Sequence, residues 1–163
     1  MKKNLKNQRL FEDVYEKHKD RIYRLCCILV QDRTQADDLY QEVLINIWKG
    51  IAQFQGNAKM ETWIYRVVLN ASINFNLKQK RQSEKTAYLK ELPETISPEN
   101  GQAEVLLEKI GLLKSADRAL IGLYLEGYAY KEIAEILGMT TTHVGVKISR
   151  IKTQLKSIWN TTM

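Results

Sequence analysis

Residues 130–150 read YKEIAEILGMTTTHVGVKISR and contain two helical patterns separated by a glycine. In the first pattern, Ile133, Ala134 and Leu137 share one face. Gly138 permits a tight turn, and the second pattern begins at the threonines that follow it. A short helix, a turn and a longer helix form a helix-turn-helix, a unit that often places its second helix in the major groove of DNA.

The second of these helices has two unlike faces. Val144, Ile148, Ile151, Leu155 and Ile158 are spaced by three or four residues and form an apolar stripe. The other face combines short polar groups near the helix start with cations further along, which suits entry into a major groove. A helical hairpin with a merely solvated polar face is the alternative. The candidate DNA contacts are Thr141, Thr142, His143, Gly145, Val146, Lys147, Ser149, Arg150 and Lys152.

The charge of the 163-residue chain favours a nucleic-acid partner. There are 25 Lys+Arg against 19 Asp+Glu, a net charge of +6. The excess lies in residues 1–90, with 17 basic and 10 acidic groups, and in residues 112–163, with 7 and 4. From residue 143 to the end there is no carboxylate. Acid-free basic stretches within helical patterns are typical of DNA-binding surfaces.

Composition narrows the class of protein further. The chain is 44% hydrophobic and 27% charged, as in globular proteins rather than disordered ones. No apolar run exceeds the six residues 25–30, so no membrane insertion is expected. The adjacent Cys26 and Cys27 cannot form a disulfide framework, which favours a reduced, cytoplasmic location. His18 and Cys26 fall on an apolar helical stripe, and His18 and both cysteines are predicted to be core or interface residues.

The rest of the chain is also predicted to be helical. Three amphipathic stripes precede residue 82, and further helices are expected over 105–113, 115–126, 130–137 and from residue 141 or 142 onward. Both prolines fall within residues 91–101, a polar stretch without helical periodicity, and this pattern predicts a linker. We therefore expect an all-α protein with two small helical domains, residues 10–82 and 104–160, joined by a flexible linker over 83–103. The three stripes are Phe11, Tyr15, His18, Ile22, Cys26 and Leu29; Ala36, Leu39, Val43 and Ile47; and Ile64, Val68, Ala71 and Phe75.

The third helix, predicted over about 61–81, carries a stripe of hydrogen-bond donors without a carboxylate. Amides and guanidiniums on one ridge, with aromatic rings near its start, can stack on and hydrogen-bond to unpaired bases and can hold phosphates. The alternative is that the aromatic rings belong to the core and that the stripe is only solvated. The stripe consists of Arg66, Asn70, Asn74, Lys78 and Arg81, and the nearby aromatic residues are Phe54, Trp63 and Tyr65.

The second helix exposes an acidic face opposite its apolar stripe, at Asp37, Asp38, Gln41, Glu42 and Ile45. No histidine or third carboxylate lies nearby in sequence, so a docking surface for a basic protein is a better interpretation than a metal site. The chain also lacks a glycine-rich phosphate loop and a Cys–His pair with an orienting acid. We expect neither an enzyme nor a bound cofactor or metal.

Two motifs resemble those of a known family. ADDLYQEV at residues 36–43, followed by Trp48, is similar to region two of bacterial sigma factors, and TWIYRVVLN at 62–70 resembles the segment after it. Residues 127–152 resemble region four. With only these two regions, the chain resembles the extracytoplasmic-function (ECF, group four) type of the sigma-70 family. The resemblance covers roughly residues 10–160.

This resemblance implies a function. A sigma factor directs RNA polymerase core to promoters and assists DNA melting. Asp37, Asp38, Gln41, Glu42 and Ile45 would contact the core enzyme, whose beta-prime clamp helices and beta subunit are the expected partners. Promoter DNA is the other partner, and an anti-sigma factor or a recruiting protein is a further one. The minus-thirty-five element would be read by the second helix of the helix-turn-helix. The minus-ten element would face Phe54, Asn57, Lys59, Trp63, Arg66, Asn70, Asn74, Lys78 and Arg81.

Some residues depart from the family pattern. Leu44 replaces a usual Phe, and residues 55–59 lack the acidic residue that many members carry in the pocket for a flipped base. Gly145 and Val146 stand where many members have Arg and Ser, so bidentate base readout there is poor. Two alternatives remain: a stand-alone helix-turn-helix regulator whose N-terminal domain dimerises, and a sigma subunit recruited to DNA by another factor.

Overall fold

The computed structural model describes residues 2–30, 32–85 and 101–162, and these residues form helices without any strand. The all-α prediction is confirmed. The helix predicted over 105–113 lies instead at 102–110, because Gly111 ends it as the C-cap residue. The helices are α1 (Lys2–Leu29), α2 (Arg33–Ile51), α3 (Met60–Lys85), α4 (Gln102–Ile110), α5 (Ser115–Leu125), α6 (Tyr130–Leu137) and α7 (Thr141–Thr162).

Helices α1, α2 and α3 pack into one bundle. Asp32 begins α2, because its carboxylate accepts from the backbone N–H of Thr34 at 2.7 Å and of Gln35 at 3.4 Å. The predicted stripes of α2 and α3 are all buried, and in α1 Ile22 and Cys26 are fully buried while Phe11 and Tyr15 only flank the core. The residues of the α2 and α3 stripes are Ala36, Leu39, Val43 and Ile47, and Ile64, Val68, Ala71 and Phe75.

Helices α4 to α7 form the second bundle, and glycines shape its turns. Gly127 and Gly138 have φ angles of +88° and +68°, a conformation that favours glycine, so each can end a helix and reverse the chain. Glu132 accepts from the Ala129 N–H at 2.9 Å, and Thr140 Oγ1 accepts from the His143 N–H at 3.1 Å. Both contacts satisfy N–H groups at helix starts, so the predicted helix-turn-helix is present over α6 and α7.

The two bundles pack directly against each other through α1 and α5. Gly122 lies so close to α1 that an added Cβ would be 2.8 Å from Leu25 Cδ1. At the rim of this contact, Arg24 donates two hydrogen bonds to the Glu126 carboxylate, at 2.8 and 2.9 Å. The Glu126 side chain is only 8% exposed, and Arg24 is the cation that pairs with it at this rim. A single buried apolar cluster therefore extends across both bundles.

A polar chain within this packing joins α1, α3 and the turn before α6. Tyr65 Oη lies 3.4 Å from His18 Nδ1, and the Tyr65 and Tyr128 rings meet edge to face at 5.2 Å. Arg21 donates to the Tyr128 hydroxyl at 3.3 Å. Burial lowers the pKa of His18 and raises that of Tyr65. The prediction that His18 is a packed residue is confirmed, since it is 7% exposed.

The linker predicted over 83–103 falls largely on residues 86–100, which lie outside the described residues. At its edges the chain is helical, since α3 continues to Lys85 and α4 begins at Gln102. Helix therefore extends into both ends of the predicted linker, at residues 83–85 and 102–103.

Candidate functional site

The outer face of α2 is open to solvent. Asp38 and Gln41 are exposed, and Ile45 is 52% exposed despite being apolar. Trp48, which sequence reasoning left out of the candidate site, follows Ile45 by three residues and is 46% exposed. Its ring meets Phe11 of α1 edge to face at 5.4 Å, which holds it on this face. Polar and apolar groups on one exposed surface are typical of protein interfaces.

Two carboxylates of α2 already have partners within the bundle. Asp37 accepts from the Tyr23 hydroxyl at 2.8 Å, a hydrogen bond that raises the pKa of Tyr23 to about 12. Glu42 is half-buried, and its carboxylate lies 4.0 Å from Lys78 Nζ. The α2 face therefore adjoins the donor stripe of α3 at this ion pair.

The loop between α2 and α3 is built on an aromatic pair. The rings of Phe54 and Trp63 lie 5.3 Å apart, and Trp63 also packs against Gly50, where an added Cβ would lie 2.7 Å from the indole. Both rings are half-buried, so they support the loop and remain partly exposed. Asn57 and Lys59 are exposed at its tip. These are the positions at which the resemblance predicts a pocket for a flipped base.

The donor stripe of α3 is exposed along its whole length, from Arg66 through Asn70, Asn74 and Lys78 to Arg81. Residues 62–83 contain no carboxylate. Two exposed aliphatic side chains, Ile73 and Leu77, share the surface of this helix, and sequence reasoning did not select them. They could have been found from their spacing, because each follows an asparagine of the stripe by three residues.

Arg66, at the start of this stripe, is engaged by the other bundle. Its guanidinium donates to the backbone carbonyl oxygens of Glu135 and Ile136, at 2.5 and 3.3 Å. These carbonyls lie in the last turn of α6, where the helix dipole favours a cation. Arg66 therefore bridges α3 to the helix-turn-helix in this arrangement.

The predicted DNA-reading face of α7 is largely exposed to solvent. Only Gly145 and Lys147 among its candidates are half-buried. Lys152 donates to the Tyr124 hydroxyl at 2.7 Å, which raises the pKa of Lys152. The exposed candidates are Thr141, Thr142, His143, Val146, Ser149, Arg150 and Lys152.

Gly145 is a position on the α7 face without a side chain, and an aromatic ring of α6 lies beside it. Tyr130, at the start of α6, places its ring 3.5 Å from where a Cβ on Gly145 would lie, and it is 38% exposed. An aromatic ring from α6 thus occupies the middle of the α7 face. Sequence reasoning missed this residue because Tyr130 and Gly145 lie 15 positions apart on different helices.

Comparison with known proteins agrees with this geometry. Residues 14–82 match the family Sigma-70 region 2, and residues 103–155 match Sigma-70, region 4. Together the two matches cover more than half of the chain. The first includes α2 and α3, and the second includes the helix-turn-helix.

Relatives of known function match most of the chain. The ECF RNA polymerase sigma factor SigW of Bacillus subtilis is 28% identical over 166 residues, which cover 92% of this chain and 89% of SigW. The RNA polymerase sigma factor YlaC of the same organism is 24% identical over 163 residues, with 93% of each chain covered.

Two solved structures share the fold. CnrH, solved in complex with the cytosolic domain of CnrY, superposes with a TM-score of 0.71 and 18% identity over 99% of this chain and 95% of that one. The sigma factor RpoE of Bartonella quintana, solved with the anti-sigma factor NepR, superposes with a TM-score of 0.73 and 18% identity. The match covers 91% of this chain and 98% of that one.

Among the described residues, no helix is long and apolar enough to cross a membrane. The two family regions in order, the relatives and the arrangement of α2, α3, α6 and α7 lead to one conclusion. The chain belongs to the ECF sigma factors of the sigma-70 family, and its function is to direct RNA polymerase core to promoter DNA in transcription initiation.

Proposed function

We propose a division of labour among three surfaces of this sigma factor. The exposed face of α2 docks on the beta-prime clamp helices of the polymerase, α3 with its preceding loop holds the melted minus-ten element, and α7 lies in the upstream major groove. The observation that carries the proposal is the contact between Glu42 and Lys78, since it places the α2 and α3 surfaces next to each other.

The α2 surface supports polymerase docking by its chemistry. Asp38 and Gln41 supply polar contacts, while Ile45 and Trp48 supply apolar area that is exposed in the free chain. Exposed aromatic and aliphatic groups beside charges commonly provide most of the binding energy of a protein interface. Asp37 contributes less, because its carboxylate is held by Tyr23.

The α3 surface supports contact with unpaired DNA. Its amides can hydrogen-bond to base edges, and its cations can hold phosphates. Asn57 and Lys59 extend the same polar surface into the loop, and the half-exposed rings of Phe54 and Trp63 offer a wall for a flipped base.

The α7 surface supports backbone contact more than base readout. Arg150 and the half-buried Lys147 can reach phosphates, whereas Gly145 has no side chain and Val146 has no hydrogen-bonding group. Thr142, His143 and Ser149 remain for direct readout. The second candidate, a sigma subunit recruited to DNA by another factor, rests on this shortage of donors.

Regulation and location complete the proposal. The structural neighbours were solved with an anti-sigma factor or a cytosolic partner domain. By analogy, we infer that an anti-sigma factor binds this chain and withholds it from the polymerase. The chain itself performs no catalysis, and it acts in the cytoplasm, where RNA polymerase and the genome are.

A charge reversal tests the docking surface. Asp38→Lys with Glu42→Lys leaves the buried Leu39 and Val43 in place. Because surface substitutions usually change unfolding free energy by within about 0.5 kcal/mol, the variant should fold. We expect core affinity to fall at least about tenfold, as for truncated interface hot spots, with little change in melting temperature.

The matched control is Glu16→Lys with Asp20→Lys on α1. It has the same charge change and the same four-residue spacing, and both side chains are exposed. Its core affinity should equal that of the wild type. Equal loss in both variants, or no loss in the α2 variant, would contradict the proposed docking surface.

A further inference from the structure

Two aliphatic side chains on α3 are exposed although the helix has a buried face available. Ile73 is 55% exposed and Leu77 is 50% exposed, whereas Ile64 and Val68 on the same helix are fully buried. Leaving two branched aliphatic groups in water forgoes the free energy that burial would give. They are one helical turn apart, so they form one small apolar patch.

This apolar patch lies within the donor stripe. At about 100° per residue, the Cα positions of Arg66, Asn70, Ile73 and Leu77 fall within a sector of about 60°. Arg81 lies close to the same sector, near the end of the helix. The α3 surface therefore has an aliphatic centre bordered by amides and guanidiniums.

The charge around the patch indicates what covers it. No carboxylate occurs in residues 62–83, and the exposed groups beside the patch are cations and amides. A surface on which cations and amides predominate favours a polyanion. Paired DNA offers only base edges and backbone to a protein, whereas an unpaired strand also offers flat apolar base faces. A surface with cations around an aliphatic centre matches the unpaired strand.

We propose that Ile73 and Leu77 contact the faces of unpaired non-template bases once the promoter has opened. Asn70 and Asn74 then hydrogen-bond to base edges while Arg81 holds a flanking phosphate. Aliphatic side chains placed against unstacked bases are a known means by which proteins stabilise distorted DNA. This inference depends on the proposed function of α3 and adds two residues and a contact type to it.

The test begins by selecting a promoter with wild-type holoenzyme from a duplex library randomised at both elements. The affinity of holoenzyme is then measured for the single-stranded non-template oligonucleotide of that promoter. We expect Ile73→Ser with Leu77→Ser to weaken this binding about tenfold, with unchanged affinity for polymerase core. Ile73→Val with Leu77→Met retains apolar groups and should bind within about twofold of wild type.

Leu5→Ser with Leu112→Ser is the matched control, because these leucines are also exposed, at 58% and 67%, but lie on α1 and after α4. It should leave single-strand binding unchanged. The inference would be overturned if the Ile73/Leu77 serine variant bound the single-stranded oligonucleotide as tightly as the wild type. A tenfold loss of its affinity for polymerase core would also overturn it, because that result would assign the patch to the polymerase. Failure of wild-type holoenzyme to select any promoter would instead overturn the proposed function itself.

Discussion

The polar faces of α3 and α7 are both rich in donors, but their surroundings differ. On α3, asparagines alternate with the exposed aliphatic groups Ile73 and Leu77, and Arg66 is bonded to the carbonyls of α6. On α7 the face consists of short hydroxyls and terminal cations, with Gly145 at its centre beside the Tyr130 ring.

This difference indicates separate tasks for the two helices. Amides with apolar groups between them suit bases that have left the stack, whereas hydroxyls and cations suit the backbone of intact duplex. Promoter selectivity should then depend mainly on α3, and α7 should mainly supply affinity. Each variant below changes one side of this comparison.

The largest effect is expected from the amides of α3. Asn70→Ala with Asn74→Ala should reduce promoter-dependent initiation about a hundredfold, since each good base contact supplies about 1–3 kcal/mol of discrimination. Thr142→Ala with His143→Ala on α7 should reduce it only a few-fold. Run-off transcription with core affinity measured in parallel provides the comparison. A greater loss in the α7 variant would reverse the assignment.

The packing between the two bundles places Arg66 against α6. This packing can be weakened by breaking the Arg24–Glu126 pair at its rim. Arg24→Glu leaves the nearly buried Glu126 carboxylate beside a like charge, and the free energy of unfolding should fall by about 1–3 kcal/mol. The double variant Arg24→Glu with Glu126→Arg should recover most of the lost free energy of unfolding. Denaturant unfolding of the full chain measures this effect.

A second ion pair between the bundles serves as the control for that variant. Arg33 is 85% exposed and lies 3.6 Å from Glu104, so Arg33→Glu should cost no more than about 0.5 kcal/mol. If Arg33→Glu lowered the free energy of unfolding as much as Arg24→Glu, the contact between the bundles would not depend on the Arg24–Glu126 pair.

Cations of α7 should affect affinity without affecting selectivity. Lys147→Ala with Arg150→Ala should weaken holoenzyme binding about tenfold on every promoter and reduce the slope of log affinity against log salt by about 2. Titrations at several salt concentrations give both quantities. A change in the preferred upstream sequence would show that these side chains read bases.

Local patterns predicted the helices well, since periodicity and glycines depend on near neighbours. The bounds 130–137 predicted for α6 match the structure. Contacts between the bundles could not be predicted, because Arg24 and Glu126 lie 102 positions apart and no short-range pattern links them. For the same reason the sequence shows Arg66 as a free donor. Trp48 and Ile73 were missed because apolar residues at helical spacing usually belong to a core.

The smallest effect concerns His18, which lies on α1 and packs against Tyr65 of α3. Burial lowers its pKa in the folded chain below its ordinary value of 6.5, despite the opposing charge of Glu61. The unfolded chain therefore binds more protons below pH 6.5, and stability falls as pH drops from there towards the folded pKa. Denaturant unfolding at several pH values should show this slope, and His18→Gln should remove it. An unchanged slope in that variant would assign the dependence to other groups.

The most direct measurement of the central claim is selection by wild-type holoenzyme from a duplex library randomised at both promoter elements at one fixed salt concentration. We expect the recovered sequences to share a strong motif in the downstream element, where α3 contacts unpaired bases, and only a weak preference upstream. A dominant upstream motif that disappears with Thr142→Ala or His143→Ala would contradict the account.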